Sequence, residues 1–227
     1  IDSENPLTHN WLGRAAYSLE NFQEAEKSFR KASELNPEEP VYRFNTGLAL
    51  NGLGKISFDQ GNYKEAKERF DQSVSIDPKN PATYNWLGRV AYALGNYEEA
   101  EKEFFKASEL TPEAPAYHYN VGLAQKSLGH YTEAEKEFRA ALNQNKDYFL
   151  AHNGLGEIYF EQGNFDDAKT EFELALAIDS ENPETNNWLG RIAYAQKYYE
   201  EAEKAFRKAS ELIPEEPAYR YNIGLAL

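Results

Sequence analysis

The chain has no cysteine and no methionine among its 227 residues. Without thiols there is no disulfide, no thiolate nucleophile and no zinc knuckle, and the redox compartment leaves no mark on the composition. Methionine is missing at position 1 as well, and an opening on Ile1 reads as a segment of something longer. Positive charge is scarce: 24 Lys and Arg stand against 38 Asp and Glu, a formal net charge of −14. Such a surface repels phosphate backbones and anionic headgroups, which argues against nucleic acid and membrane surfaces as partners. No apolar run approaches the ~18 residues of a bilayer span and no signal-peptide pattern opens the chain, so no membrane insertion is expected. Nothing names a compartment, and a soluble, cytoplasmic protein is the default expectation.

What is present is repetition. The runs Asn85-Trp86-Leu87-Gly88-Arg89 and Asn187-Trp188-Leu189-Gly190-Arg191 lie 102 positions apart, and that interval divides into three units of 34. A fixed period of this length means stacked supersecondary units, each of which buries its apolar face only against its neighbours. In the unit 81–114, two helical patterns flank a turn at Gly95-Asn96. Leu87, Val90, Ala91 and Leu94 form a core stripe on the first helix, and Asn85, Arg89 and Tyr92 a second stripe that faces out. Tyr97, Ala100, Phe104, Ala107 and Leu110 recur at helical spacing on the second helix, which Pro112 stops.

The Leu-Gly pair, the later Tyr, Ala and Phe, and the closing Pro resemble the tetratricopeptide repeat. The pattern covers residues 6–39, 47–80, 81–114, 115–148, 149–182 and 183–216, followed by an unpaired terminal helix at 217–227. The resemblance implies one array over 1–227: an all-α, right-handed superhelical solenoid of stacked antiparallel helix-turn-helix repeats. Ala25, Ala66, Ala100, Ala134, Ala168 and Ala202 fall where paired helices cross, and Gly13, Gly54, Gly88, Gly122, Gly156 and Gly190 permit close approach. Phe29, Phe70, Phe104, Phe138, Phe172 and Phe206 fill the space between hairpins. Lys146 and Ser180 replace the helix-ending Pro, so those helices are expected to run on. Lys197 replaces the inter-helix Gly, so that turn is expected to change shape.

A longer period overlies the short one. Residues 1–50 match 178–227 nearly position for position, yet Trp11 and Trp86 are only 75 apart. The shortfall falls at Leu50-Asn51, within an anomalous junction near 40–51. Either one long first helix crosses it, from about Val41 to Gln60, or about 27 residues are missing from the record of the chain.

No catalytic constellation emerges and no enzyme activity or cofactor is expected. Three of the four histidines, His9, His118 and His152, share one place in the first helices, and His130 opens a second helix; none brings the further ligands a metal needs. The Glu-rich runs are solvated helix backs. Asn153-Gly154-Leu155-Gly156 resembles a dinucleotide turn only superficially, since it lies in a helix with no strand before it.

The remaining constellation is a polar ladder on the first helices: Asn10, Arg14 and Tyr17; Asn85, Arg89 and Tyr92; Asn187, Arg191 and Tyr194; with Asn120 and Asn153 between. In tetratricopeptide arrays the first helices line a concave groove, so the resemblance implies that these residues look into it. Asn serves a peptide bond as donor and acceptor, Arg holds a carboxylate bidentately, and Tyr offers flat area with a polar tip. This is similar to the carboxylate clamp of chaperone-binding family members, although Leu123 and Glu157 occupy the Arg position in their own repeats. The bland alternative pairs each Arg with a neighbouring Glu and leaves the Asn residues to cap or pack. The expected function is a non-enzymatic scaffold binding an extended peptide or a helix of another protein. One alternative is a self-assembling array in which chain ends meet head to tail, exposing Tyr221, Ile223, Leu225 and Leu227 at one end and Ile1–Pro6 at the other. Another is the recognition arm of a larger enzyme.

Overall fold

The computed structural model describes residues 4–227, and Ile1–Ser3 of the opening segment lie outside the described residues. Thirteen helices and no strand occur among the described residues. The chain divides into two compact units, Ile1–Pro112 and Glu113–Leu227. The first holds α1 (Pro6–Ser18), α2 (Phe22–Leu35), α3 (Pro40–Asp59), α4 (Tyr63–Ile76), α5 (Pro81–Ala93) and α6 (Tyr97–Leu110). The second holds α7 (Pro115–Ser127), α8 (Tyr131–Gln144), α9 (Phe149–Glu161), α10 (Phe165–Ile178), α11 (Pro183–Ala195), α12 (Tyr199–Leu212) and α13 (Pro217–Ala226). Odd-numbered helices are the first members of each hairpin and even-numbered ones the second.

Local chemistry sets the ends. Pro opens α1, α5 and α11 at a position whose N–H would be orphaned in any case. The preceding Asn5, Asn80 and Asn182 cap the backbone with their side-chain oxygens, accepting from Leu7, Ala82 and Thr185 at 2.9, 3.1 and 3.0 Å. Two helices expected to run on do not. α8 stops at Gln144 and α10 at Ile178, because Asn145 accepts from the Asp147 N–H at 3.0 Å and Asp179 accepts from the Asn182 amide at 3.0 Å, each closing the turn without Pro.

The inter-helix turns are left-handed at Gly61, Gly95, Gly129 and Gly163, with φ of 76 to 78°. Lys197 adopts the same region at φ 66°, and Glu20 does so at 57°. The Lys197 turn keeps the glycine shape, contrary to the sequence expectation: Tyr198 N–H donates to Ala193 O at 2.8 Å, as Asn96 N–H does to Ala91 O at 2.9 Å. The backbone bonds donated by Lys197 and Tyr198 to the last carbonyls of α11 outweigh the side-chain strain.

Within each hairpin the Gly and Phe of the repeat form one device. A Cβ on Gly88 would lie 2.4 Å from the Phe104 ring, and one on Gly13 or Gly190 would lie 2.5 Å from Phe29 or Phe206. The ring therefore packs on bare backbone, and Ala100 and its equivalents are fully buried beside it. Phe138 also packs on Ala151, Leu155 and Ile158 of the next hairpin, so the same ring joins neighbouring hairpins. The stripes end sooner than the periodicity suggests: Leu94 is 53% exposed as the cap of α5, and Leu110 is exposed at the end of α6.

α3 is the exception in length, with 20 residues running unbroken across Leu50–Asn51. At 1.5 Å per residue it extends about 30 Å, and along that length it packs on both α2 and α4. Leu50 and Asn51 are both buried, and Ser73 of α4 donates to the Gly47 carbonyl at 3.1 Å. On α13, Ile223 packs against the cluster of Ala202, Phe206 and Ala226 and does not join the exposed Tyr221, Leu225 and Leu227.

Candidate functional site

The predicted ladder separates into two layers. Its amides turn inward. Asn10 and Asn153 are buried; Asn10 accepts from Asn45 Nδ2 at 2.8 Å and Asn153 accepts from Thr185 Oγ1 at 2.9 Å. Asn187 accepts from Asn222 at 2.8 Å, and Asn51 exchanges bonds with Thr83 at 2.9 and 3.1 Å. These bonds tie one first helix to the next, satisfying polar groups that would otherwise be costly at such depth. Asn85 and Asn120 are half-buried on α5 and α7. The inward amides escaped the sequence reading because an i, i+3, i+4 stripe cannot distinguish a face open to solvent from one covered by the adjacent helix. The recurrence of Asn51/Thr83 as Asn153/Thr185 at the 102-residue interval is the signal that could have found them.

The arginines and tyrosines stay outward. Tyr17, Tyr92 and Tyr194 each pack against the ring that opens the following helix, with centroids 5.1 Å from Phe22, 5.1 Å from Tyr97 and 5.5 Å from Tyr199. Arg14, Arg89 and Arg191 lie over the tryptophan three residues before them, at 4.6, 4.1 and 3.8 Å from the ring centroids of Trp11, Trp86 and Trp188. Spacing of three on a helix places both side chains on one face, and the ring quadrupole attracts the cation.

Around Trp86 and Trp188 the surroundings are duplicated to within a few tenths of an ångström. Phe70 stacks on Trp86 at 5.8 Å and Phe172 on Trp188 at 5.7 Å. Phe58 meets Trp86 edge-on at 5.6 Å and Phe160 meets Trp188 at 5.3 Å. Those two phenylalanines also touch the guanidinium groups, 5.2 Å from Arg89 and 4.8 Å from Arg191. Trp11 lies under Arg14 with no second ring stacked on it among the described residues, and it is 61% exposed.

No carboxylate lies within 4.0 Å of Arg14, Arg89 or Arg191 among the described residues, so these cations are held by rings and not by ion pairs. Desolvation by the aromatic walls lowers the pKa of Arg89, partly offset by Asp59. The same burial lowers that of Arg191, offset by Glu161 and Glu157. Arg89 remains exposed by surface area; its desolvation comes from the rings beneath it. Two of these carboxylates are engaged elsewhere: Asp59 pairs with Lys55 at 2.6 Å, and Glu157 pairs with Lys126 of α7. Burial raises the pKa of Glu184, with Glu157 adding to the rise and Lys126 opposing it.

His118 and His152 occupy equivalent places, bonded through Nδ1 to Glu137 at 2.8 Å and Glu171 at 2.7 Å. No group of three or more His, Asp or Glu suited to a metal occurs among the described residues, and no described helix is long and apolar enough to cross a membrane.

Family models of the tetratricopeptide repeat match residues 57–121 and 161–221, residues 119–183 and residues 5–79. No curated protein sequence matches the chain. Among solved structures it is similar to the APC/C hetero-tetramer Cut9–Hcn1, with TM-score 0.75 and 18% identity, 100% of this chain covering 44% of that one. The chain thus spans less than half the length of that relative. It is also similar to Pseudomonas aeruginosa pilF, with TM-score 0.70, 20% identity and 95% of each chain covered. YrrB, described as a TPR protein with an unusual peptide-binding site, matches with TM-score 0.63 and 20% identity over 87% of this chain and 98% of that one. At these identities the likeness establishes the fold.

Proposed function

Because this chain belongs to the tetratricopeptide repeat family, we propose that it is a protein-interaction scaffold that binds an extended segment of a partner on the face formed by its first helices. The observation that carries this reading is the state of Arg89 and Arg191. Each guanidinium lies over a tryptophan, close to a phenylalanine ring, and is left without an ion-pair partner among the described residues. An arginine held in this way has already lost much of its rotamer freedom, so a partner's oxygen meets a fork whose ordering cost is largely met before binding. Tyr92 and Tyr194 flank the two stacks with flat, half-exposed area.

The test is selection of displayed peptides on the intact protein, followed by affinity measurement on the double variant Arg89→Ala/Arg191→Ala. Each charge-assisted contact is worth about 1.5–3 kcal/mol when desolvated, so selected peptides should weaken by about tenfold or more while helicity by circular dichroism stays level. Equal affinity for both proteins would remove this face as the site.

A further inference from the structure

On the side of the second helices, the groove between consecutive hairpins is closed in two places and open in a third. Between α4 and α6, Lys67 reaches Glu99 across the gap at 3.5 Å, and Leu87 and Ala91 of α5 are buried. Between α8 and α10 the plug is Tyr159 of α9. Its side chain packs against the buried clusters of Phe138 and of Phe172, and its hydroxyl donates to Glu135 at 3.2 Å and accepts from Arg139 at 2.9 Å. Between α10 and α12 both devices are missing. Ala193 stands in the place of Tyr159 and Ala205 in the place of Glu171, while Lys169 pairs along its own helix with Glu173 at 3.8 Å. A cavity of about 300 Å³ remains, with Leu189, Ile192, Ala193 and Ala205 in its wall and Lys169 and Glu173 beside them. Leu189 is only half-buried there, whereas its equivalents Leu87 and Leu155 are 7% and 2% exposed in the closed grooves. We propose that this groove is a receptor for a tyrosine side chain of a partner protein, separate from the first-helix face.

The occupant is identified by the neighbouring groove. Tyr159 shows what fits this setting: an aromatic ring on an aliphatic floor, with a hydroxyl held between a carboxylate and a cation. The open groove keeps the pair that reads the hydroxyl, since Lys169 and Glu173 occupy the places of Glu135 and Arg139 with the charges exchanged. A phenol is served by either order, because its oxygen both donates and accepts. An entering hydroxyl accepts from Lys169 Nζ and donates to Glu173, two charge-assisted bonds that a phenylalanine cannot make. Size agrees, because about 300 Å³ is the lower end of ligand sites and suits one large side chain better than a cofactor. The mouth is altered as well. Tyr198 replaces Asn164 of the preceding repeat and is 58% exposed, offering flat area to the chain on either side of the guest.

The test follows the methyl resonances of Leu189 and Ile192 by NMR on the full chain. The probes are an acetylated, amidated peptide of glycines around one tyrosine, its phenylalanine and leucine versions, and free p-cresol. Both resonances should move with the tyrosine peptide, at concentrations about three- to tenfold below those the phenylalanine version needs. Lys169→Met with Glu173→Leu, two exposed changes, should erase that margin and leave the weaker response to both aromatic peptides. Ala193→Tyr should fill the groove from within, as Tyr159 fills its own, and abolish the response while melting no lower than wild type. Ala205→Glu, which restores the residue of the preceding hairpin, is a second block that does not depend on how the new ring packs. Tyrosine and phenylalanine peptides of equal strength on the wild-type chain would overturn the receptor, because the rim would then read no hydroxyl. Binding that survives both Ala193→Tyr and Ala205→Glu would place the peptide elsewhere and overturn it too. Movement with p-cresol but not with the tyrosine peptide would show a groove closed to a tethered side chain, and no movement with any probe at millimolar concentration would show no receptor at all.

Discussion

His152 shows how much one side chain's setting depends on contacts the sequence does not spell out. Its position in the first helix is legible from the repeat, and a packed or rim histidine is what that position suggests. The structure adds a bond from Nδ1 to Glu171 at 2.7 Å and one from Nε2 to the Lys146 carbonyl at 3.3 Å. The bond to Glu171 raises the pKa most; burial opposes it, and the Glu171 charge, the Lys146 carbonyl and Asp147 add to the rise. A folded pKa above the unfolded value of about 6.5 means the stabilisation is complete below that pH and is lost as pH climbs through the folded pKa. His152→Gln should therefore cost on the order of 1 kcal/mol in urea unfolding at about pH 6 and less at about pH 9. A gap between wild type and variant that does not change with pH would show that the imidazole is not a cation in the folded chain. Arg89 and Trp86 carry the same lesson: their spacing of three is plain in the sequence, but the stack also needs Phe58 from a different helix, and no local pattern names it.

At the scale of the element, most of the fold was readable because helix ends are fixed by short-range chemistry. Asn before Pro starts a helix and Gly in the left-handed region ends one, and both signals recur with the period. The misreadings at Lys146, Ser180 and Lys197 share a cause. A missing Pro reads as a missing boundary and a missing Gly as a changed turn, whereas the side-chain bonds of Asn145 and Asp179 and the backbone bonds that close the turn at Lys197 keep both without them. Glu20 went unnoticed for the same reason, since nothing in its own identity announces φ 57°. Lys197→Gly and Glu20→Gly should each relieve left-handed strain and raise stability by about 0.5–1 kcal/mol after the added freedom of the unfolded glycine is counted. Thermal or urea midpoints below wild type would mean that the aliphatic stems of those side chains contribute more by packing than the backbone loses in strain.

Across the whole molecule the 102-residue interval organises what the 34-residue period leaves uneven. Phe58, Phe70, Trp86 and Arg89 reappear as Phe160, Phe172, Trp188 and Arg191 in the same arrangement, while Lys55 and Asp59 reappear as Glu157 and Glu161. Packing is copied between the units and charge is not, which is the pattern expected when helix contacts are constrained by shape and the exposed edge is left to vary. Cohesion follows from the same construction. Each hairpin is held by its own Gly–Phe contact, and within the second unit Phe138 and Phe172 also pack on the hairpin that follows, so cohesion is carried locally. Ala100 is fully buried where α6 crosses α5, and Ala100→Leu would force extra methylenes into that crossing at a cost of about 1–3 kcal/mol. Because α3 and α5 are joined by the Asn51–Thr83 bonds and α4 lends Phe70 to Trp86, the disturbance should pass into α3 and α4. Hydrogen exchange should then show lost protection in α3 to α6, while α9 to α12 keep their wild-type rates. Equal loss in every helix would mean that the chain opens as one cooperative body, and the account of stability carried hairpin by hairpin would fail.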